Sequence, residues 1–354
     1  MNPFWSQIAR ELSPYTPGEQ PRIANLVKLN TNESPFGPSP RAEAAMRAAA
    51  SESLRLYPDP EAVELRQVLA EHHAVKPEQV FVGNGSDEVL AHAFAGLLKQ
   101  ARPLLCPDIT YSFYPVWAQL FGITLETVPL DDEMRVRVED YRHRAGAIVI
   151  ANPNAPTGIA LPRAEIARLL KQNPDIPVLI DEAYVDFGGE SAVPLIADHP
   201  NLLVVQTMSK SRALAGLRVG YALGDAGLIE ALRRVKDSFN SYPLGRIAQA
   251  GAMASVRDDA WFRESCSRIV ATREAMTREL AALGFVVLPS SANFVFARHP
   301  SLGGAEFAAA LRDRAILVRH FDKPRSRPYL RITVGTPDDV QKLITAASDI
   351  LKSR

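Results

Sequence analysis

Short apolar runs alternate with amphipathic stretches between about residues 60 and 245 of the chain. The apolar runs are rich in β-branched residues, and the stretches between them repeat apolar residues at helical spacing, as at positions 62, 65, 68 and 69. Alternating strands and helices are typical of a parallel sheet that is covered on both faces. The pattern predicts a large α/β domain with strands at 79–82, 103–106, 147–151, 177–180, 202–206 and 219–223 and helices at 61–73, 89–98 and 162–171.

The two ends of the chain carry a different pattern. A long helix is predicted at 258–283, and short strands at 285–288, 293–297, 316–319 and 329–334 then alternate with two helices. Prolines at 3, 14, 17, 21, 35, 38 and 40 exclude a long helix or a central strand near the N-terminus. We therefore predict an N-terminal arm of the small domain at 1–40, the large domain at 41–250 and a small α+β domain at 251–354.

Composition narrows the class of protein. The 354 residues include 40 Lys and Arg against 40 Asp and Glu, so the formal net charge of +0 gives no field that would attract nucleic acid or an anionic membrane. Two cysteines, Cys106 and Cys266, are too few for a disulfide framework and lack the spacing of a zinc site. No apolar segment approaches the ~18 residues of a membrane span. These features predict a cytoplasmic protein with small-molecule or protein partners and no metal site.

A glycine-rich turn, GNGSDE (83–88), follows the first predicted strand of the large domain. Ser86 and Asp87 stand where the next helix begins, and free backbone N–H groups and the helix dipole favour an anion at such a position. The turn is thus a candidate phosphate site. An ordinary capped helix after a turn is the alternative.

Two further loops follow predicted strands. The loop NPNAPTG (152–158) lies at the carboxyl end of its strand, where ligands of open α/β sheets bind, although alone it is also an ordinary Pro-Gly turn. The sequence DEAY (181–184) places the carboxylate of Asp181 directly after an apolar strand, where poor solvation favours a cationic partner. A helix-capping aspartate is the alternative.

Two basic residues occupy unusual positions. Lys210 lies between two serines after a predicted strand, with an arginine close behind, which suits an anion held near an amine nucleophile. A solvated surface lysine is the alternative. Arg331 lies inside the β-branched strand at 329–334, where a cation needs a partner, and a structural ion pair is its alternative.

In sequence order, these motifs resemble those of the fold-type I pyridoxal-phosphate aminotransferases: GNGSDE, a tyrosine in PDITYSFY, NPNAPTG, DEAY, SKS with a basic residue eight positions on, and LRIT. Within that group, KLNTNESPFGPS, YPDP, SKSRALAGLRVGY and YLRITVG look most like the histidinol-phosphate aminotransferases. The resemblance runs from about Tyr15 to the C-terminus. It implies the fold of that class, a large α/β domain with a mostly parallel central sheet plus a smaller α+β domain, and pyridoxal 5'-phosphate as cofactor.

The resemblance also implies a role for each residue at the cofactor. Lys210 would hold the cofactor as a Schiff base and then carry a proton between two carbons of the substrate adduct. Asp181 would keep the pyridine nitrogen protonated, and Tyr184 would contact the phenolic oxygen. The other implied cofactor contacts are Tyr111, which would stack on the ring, and the phosphate ligands Ser86, Asp87, Ser209 and Arg218.

Substrate and partner contacts follow from the same resemblance. Arg331 matches the clamp for the α-carboxylate of the substrate, and Arg319 and Tyr15 are candidates for a second substrate contact. Tyr57, in the sequence RLYP, matches a tyrosine that family members donate to the phosphate of the neighbouring subunit. A homodimer is therefore implied.

One position departs from the family pattern. Ala155 stands where family members usually have an asparagine that contacts the phenolic oxygen of the cofactor. Either Asn154 supplies that contact from one residue earlier, or Tyr184 supplies it alone. The sequence leaves both possibilities open.

The implied reaction interconverts L-histidinol phosphate and 2-oxoglutarate with imidazole-acetol phosphate and glutamate, a step of histidine biosynthesis. An aromatic-amino-acid aminotransferase and threonine-phosphate decarboxylase share the same motifs and stay open as alternatives. A non-catalytic binding protein with this fold is a further alternative. Lys210 argues against it, because a binding module does not need the amine.

Overall fold

The computed structural model describes residues 3–142 and 145–353. The strands are β1 (Val27–Leu29), β2 (Val80–Gly83), β3 (Leu104–Pro107), β4 (Leu125–Val128), β5 (Ala147–Ala151), β6 (Val178–Asp181), β7 (Leu202–Thr207), β8 (Gly220–Gly224), β9 (Val286–Val287), β10 (Phe294–Arg298), β11 (Ile316–His320) and β12 (Leu330–Thr333). The helices are α1 (Gln7–Glu11), α2 (Pro40–Ala49), α3 (Val63–His73), α4 (Gly85–Ala93), α5 (Tyr114–Phe121), α6 (Arg163–Gln172), α7 (Ala226–Asp237), α8 (Arg246–Arg257), α9 (Asp259–Ala282), α10 (Gly304–Arg312) and α11 (Pro337–Lys352).

The larger sheet has seven strands within the described residues, in the order β2-β8-β7-β6-β5-β3-β4. Every neighbouring pair is parallel except the two that include β8, which runs antiparallel to β2 and to β7. Successive side chains enter different cores: Ile148 and Ile150 belong to one apolar cluster and Val149 to another. Burial on both faces explains the unbroken apolar runs of these strands. The predicted large α/β fold with a mostly parallel central sheet is confirmed.

The smaller sheet joins the two ends of the chain. Within the described residues its order is β1-β11-β12-β10-β9, with β1 parallel to β11 and the other pairs antiparallel. The proline-rich N-terminal segment supplies only the edge strand β1, as the prolines predicted. Helices α9, α10 and α11 share an apolar cluster with this sheet, so its α+β character is as expected.

Two strands were missed in the sequence. β4 lies at the edge of the larger sheet with Glu126 and Thr127 exposed, so it lacks the apolar run that identified the inner strands. β1 has only three residues, too few for a periodic pattern.

The topology brings the loops that carry the candidate site residues together at one edge of the larger sheet. β5, β6 and β7 are parallel neighbours, and their carboxyl ends lead into the 152–158 loop, Asp181 and the loop of Lys210. Ligands of open α/β sheets bind at such an edge. Among the described helices, none is both long enough and apolar enough to cross a lipid bilayer. Cys106 and Cys266 are free and buried, as expected of apolar fillers.

Candidate active site

A cavity of about 240 Å³ lies where the carboxyl ends of the large sheet face strands β11 and β12 of the small sheet. The predicted site residues that line it are Tyr15, Ser86, Asp87, Tyr111, Asp181, Tyr184, Ser209, Lys210, Arg218, Arg319 and Arg331. Residues from opposite ends of the chain, such as Tyr15 and Arg331, therefore meet around one cavity.

Lys210 presents a primary amine to this cavity. It follows β7 in a short loop, and its Nζ donates a hydrogen bond to the carbonyl oxygen of Thr31 across 3.2 Å. The ammonium also lies 5.8 Å from the centre of the Tyr184 ring. One backbone carbonyl and one aromatic ring thus hold the amine inside the cavity rather than in solvent.

Asp181 ends strand β6 as a buried carboxylate. Burial raises its pKa to about 6, although the hydroxyl of Tyr114 and the backbone N–H of Ala183 donate hydrogen bonds to it across 2.9 Å and 3.3 Å and oppose that rise. Within the described residues it has no ion-pair partner. A cationic N–H placed against this carboxylate would supply the missing opposite charge.

The start of helix α4 forms the candidate phosphate site. The first N–H groups of a helix have no partner within the helix, and Ser86 and Asp87 stand in that first turn. Gly85 has φ of +82°, and a Cβ there would collide with the Arg218 guanidinium. A Cβ on Gly220 would collide with the backbone nitrogen of Ser86. Both glycines are therefore required for a cation and strand β8 to approach the helix start so closely.

Polar side chains surround this helix start. Arg218 pairs with Asp87 across 3.1 Å, and its other terminal nitrogen lies 3.5 Å from Ser209 Oγ. Asp87 also accepts a hydrogen bond from the hydroxyl of Tyr111 across 3.1 Å. Thr207, which sequence reasoning missed, donates to Ser209 Oγ across 3.0 Å and also lines the cavity. Asp87, Ser209 and Arg218, three of the four predicted phosphate ligands, therefore form one connected group.

Arg319 and Arg331 stand directly opposite each other on the neighbouring strands β11 and β12. Like charges in facing cross-strand positions destabilise a sheet. Burial lowers the pKa of Arg331, whose Nη2 donates to the carbonyl of Asn30 across 2.9 Å while its buried Nε has no partner. Two adjacent cations with an unused donor, both lining the cavity, form a site for an anion.

The segment 30–33 lies in the motif KLNTNESPFGPS, but the sequence did not predict that it contacts the site. The Asn30 carbonyl contacts Arg331, the Thr31 carbonyl contacts Lys210, and Asn32 Nδ2 donates to the hydroxyl of Tyr184 across 2.9 Å. These contacts join residues far apart in the chain, so no local signal in the sequence assigns them. One short segment therefore contacts the Lys210 amine, the Tyr184 hydroxyl and the Arg331 guanidinium.

Two predicted residues do not line the cavity. Asn154 is buried, and its amide donates to the carbonyl of Ile109 and to Thr157 while its oxygen accepts from Thr110, so its polar atoms are engaged by its own loop and by the loop that follows β3. Tyr57 is 78% exposed and stacks on Tyr242 with ring centres 4.7 Å apart. Tyr184, the other candidate for the phenolic contact, lines the cavity.

Comparison with curated proteins returns relatives along the whole chain. A protein from Bradyrhizobium diazoefficiens named histidinol-phosphate aminotransferase 1 is 62% identical over 351 residues, which cover 99% of this chain and 100% of that protein. A histidinol-phosphate aminotransferase from Aromatoleum aromaticum is 60% identical over 356 residues, covering 99% of this chain and 100% of its own length.

A solved structure of a protein with the same name has a similar fold. A crystal structure of histidinol-phosphate aminotransferase from Sinorhizobium meliloti in complex with pyridoxal-5'-phosphate superposes with a TM-score of 0.88 at 26% identity, covering 100% of this chain and 99% of that chain. The model of the family described as aminotransferase class I and II matches residues 24–346. The chain therefore belongs to the class I and II aminotransferases, as its motifs predicted.

Proposed function

We propose that this chain is a pyridoxal-phosphate-dependent histidinol-phosphate aminotransferase. It would transfer an amino group between L-histidinol phosphate and 2-oxoglutarate, a step of histidine biosynthesis. The observation that carries the proposal is the facing pair Arg319 and Arg331 in one cavity with the amine of Lys210. The names of relatives at 60–62% identity over nearly the whole chain support it.

The residues of the cavity fit the cofactor. The first turn of α4, with Ser209 and Arg218, offers backbone N–H groups, a hydroxyl and a cation to a phosphate. Asp181 is a buried carboxylate that lacks a cation, which suits a protonated ring nitrogen. Tyr184 offers a hydroxyl to the phenolic oxygen, and Tyr111 offers a ring face. When bound, pyridoxal phosphate supplies a ring that withdraws electrons from the Cα–H bond of the substrate.

Lys210 has two tasks in this proposal. Its Nζ would hold the cofactor covalently in the resting enzyme, and the same amine, once released, would act as the proton carrier for the substrate Cα. The Thr31 carbonyl lies 3.2 Å from Nζ and restrains where the released amine sits. A restrained amine beside the reacting carbon replaces a slow intermolecular proton transfer with an intramolecular one.

Arg319 and Arg331 determine which bond of the substrate Cα faces the Lys210 amine. Arg331 binds the phosphate of histidinol phosphate or the α-carboxylate of glutamate, and Arg319 adds a second cation from the facing strand position. An anion held by two guanidinium groups fixes the rotation of the substrate about its Cα. Tyr15 lines the cavity and stacks on Phe113 with ring centres 4.7 Å apart, so it closes the substrate side.

The homodimer is part of the proposal. Tyr57 stacks on Tyr242 in an exposed aromatic patch, and Leu54, Leu56 and Phe239, each within three positions of one of these rings in the sequence, are exposed as well. Large exposed apolar groups that lie together mark a protein interface. We propose that this patch faces a second copy and that Tyr57 of the partner subunit contributes to the phosphate site. The cytoplasmic location predicted from the sequence stays a prediction.

A comparison of amino donors tests the proposed function. The cofactor-loaded enzyme is mixed in single turnovers with histidinol phosphate, phenylalanine or threonine phosphate, and the loss of the cofactor's lysine-bound absorbance is followed. We expect histidinol phosphate to give the highest kcat/KM. A preference for phenylalanine would replace the proposal with an aromatic aminotransferase, and release of CO₂ from threonine phosphate would replace it with the decarboxylase.

A further inference from the structure

The substrate of the proposed function has two arms on its Cα, and the arginine pair accounts for only one of them. The phosphate arm ends at Arg319 and Arg331. The other arm carries an imidazole, which always has at least one N–H to donate. A cavity that selects this arm needs an acceptor near the amine of Lys210 that can take a further hydrogen bond and that the cofactor does not use.

Glu33 lies in that position. Its carboxylate accepts a hydrogen bond from the hydroxyl of Thr31 across 2.8 Å, and the carbonyl of the same Thr31 accepts from Lys210 across 3.2 Å. Glu33 lines the cavity, and its side chain keeps 45% of its surface exposed. Thr31 thus contacts both the Lys210 amine, next to which the substrate Cα must lie, and the Glu33 carboxylate.

The other two carboxylates that line the cavity belong to the proposed cofactor site. Asp181 accepts from Tyr114 and from a backbone N–H, and it faces the ring nitrogen in the proposed function. Asp87 is paired with Arg218 and accepts from Tyr111. The side-chain oxygen of Asn32 accepts from Thr333.

Glu33 can accept a further hydrogen bond, and its carboxylate is charged. Lys28 donates to its two oxygens across 2.7 Å and 2.6 Å, and Thr31 donates to one of them, whereas a carboxylate offers about four acceptor positions. Burial raises the pKa of Glu33, but the bonds from Lys28 and Thr31 and the charges of Lys28 and Lys210 outweigh that effect and lower it below its ordinary value. The group is therefore an anion at neutral pH.

We propose that Glu33 accepts a hydrogen bond from the imidazole N–H of the substrate and thereby selects the imidazole arm. This inference rests on the proposed function. The same carboxylate lies near the side-chain carboxylate of glutamate when glutamate is the donor, and like charges repel. Removal of the charge on Glu33 therefore acts in opposite directions on the two amino donors.

The test is Glu33→Gln, which keeps the size of the side chain and loses its charge. We expect kcat/KM for histidinol phosphate to fall roughly tenfold, because a charge-assisted hydrogen bond becomes a neutral one. We expect kcat/KM for glutamate to stay the same or rise. The dissociation constant of histidinol phosphate, measured by calorimetry with Lys210→Ala as the background so that no turnover occurs, should rise by a similar factor.

Lys28→Met is the matched control. It removes the partner of Glu33 and leaves the carboxylate in place, so kcat/KM for histidinol phosphate should not fall. If Glu33 only anchors the N-terminal segment through Lys28, both variants will impair both donors alike, and the inference is overturned. The cofactor absorbance of each variant reports whether the site is still assembled.

The proposed function and the inference fail differently. If the unsubstituted enzyme does not use histidinol phosphate, the proposed function is wrong and the inference falls with it. If the unsubstituted enzyme does use it, but Glu33→Gln leaves both donors unchanged or lowers both equally, the proposed function stands and the role of Glu33 is wrong.

Discussion

Tyr114 donates its hydroxyl hydrogen to Asp181 Oδ2 across 2.9 Å, and both residues are buried. Tyr114 is the first residue of α5, three positions after Tyr111, which lines the cavity. One short segment therefore supplies the ring face for the cofactor and also supports the carboxylate beneath it. Because the hydrogen bond lowers the pKa of Asp181, it favours the charged form that a protonated ring nitrogen requires.

Tyr114→Phe should weaken the cofactor site without removing any group that lines it. Loss of the donor raises the pKa of Asp181 further, so the acid limb of the kcat/KM profile should move to higher pH. The dissociation constant of pyridoxal phosphate should rise roughly 10-fold, the worth of a hydrogen bond to a charged group. Spectral titration of the cofactor and a pH–rate profile measure the two effects.

Tyr141→Phe is the control for that change. Tyr141 is fully buried, and its hydroxyl has no hydrogen-bond partner among the described residues. Its substitution should leave cofactor affinity and the pH profile unchanged. Equal effects of the two Tyr→Phe changes would show that Tyr114 contributes packing rather than its hydroxyl.

Arg319→Ala should impair the substrate site and spare the cofactor. A charge-assisted hydrogen bond is worth roughly 1.5–3 kcal/mol, so kcat/KM for histidinol phosphate should fall roughly 10- to 150-fold. The absorbance of the bound cofactor should not change. Arg327→Ala, which removes an exposed arginine paired with Asp322, is the matched control and should leave kcat/KM unaltered. Full activity of Arg319→Ala would make Arg319 a structural residue.

Tyr57 should act across a subunit interface. Protomers carrying Tyr57→Phe, once shown to be impaired, are mixed with inactive Lys210→Ala protomers, and subunit exchange creates one intact site in each mixed dimer. Random pairing should restore up to about a quarter of the normal activity. Mixing Tyr57→Phe with the doubly substituted Tyr57→Phe/Lys210→Ala protomer is the control, because no intact site can form. If the first mixture recovers nothing beyond this control, the shared site is excluded.

Glu182 should make stability depend on pH. Burial raises its pKa to about 7, against hydrogen bonds from Ala192, Ser191 and Gln206 that lower it. A carboxyl whose pKa is raised in the folded state stabilises the fold below its ordinary pKa, and this contribution is lost as pH rises through the folded value. Relative to Glu182→Gln, the free energy of unfolding of the native protein should decline by on the order of 2 kcal/mol between about pH 5 and pH 8. A difference that stays constant over this range would contradict the assignment.

The inner framework of the molecule is readable from its sequence. Strands β6 and β7 are apolar runs followed by polar residues, Asp181 in β6 and Gln206 and Thr207 in β7, so both their burial and the polar ends follow from the pattern. The roles of Lys210 and Asp181 came from motif order, which local pattern alone left open to ordinary alternatives.

Contacts between distant segments could not be predicted in the same way. Tyr114 and Asp181 are 67 positions apart, and Asn32 and Tyr184 are 152 apart, so each pair meets only after the sheets have assembled. The same limit explains Asn154, which is adjacent to the expected position in the sequence but is held by bonds to Thr157 and to Thr110, which is 44 positions away in another loop. Proximity in sequence did not give proximity in space.

Mapping of the covalently bound cofactor tests the proposed role of Lys210. The cofactor-loaded enzyme is reduced with borohydride, which makes the bond between cofactor and lysine permanent, and its peptides are then mapped by mass spectrometry. We expect a pyridoxyl group on Lys210, the lysine whose amine lines the same cavity as Asp181 and the arginine pair. A pyridoxyl group on any other lysine, or none on Lys210, would contradict it.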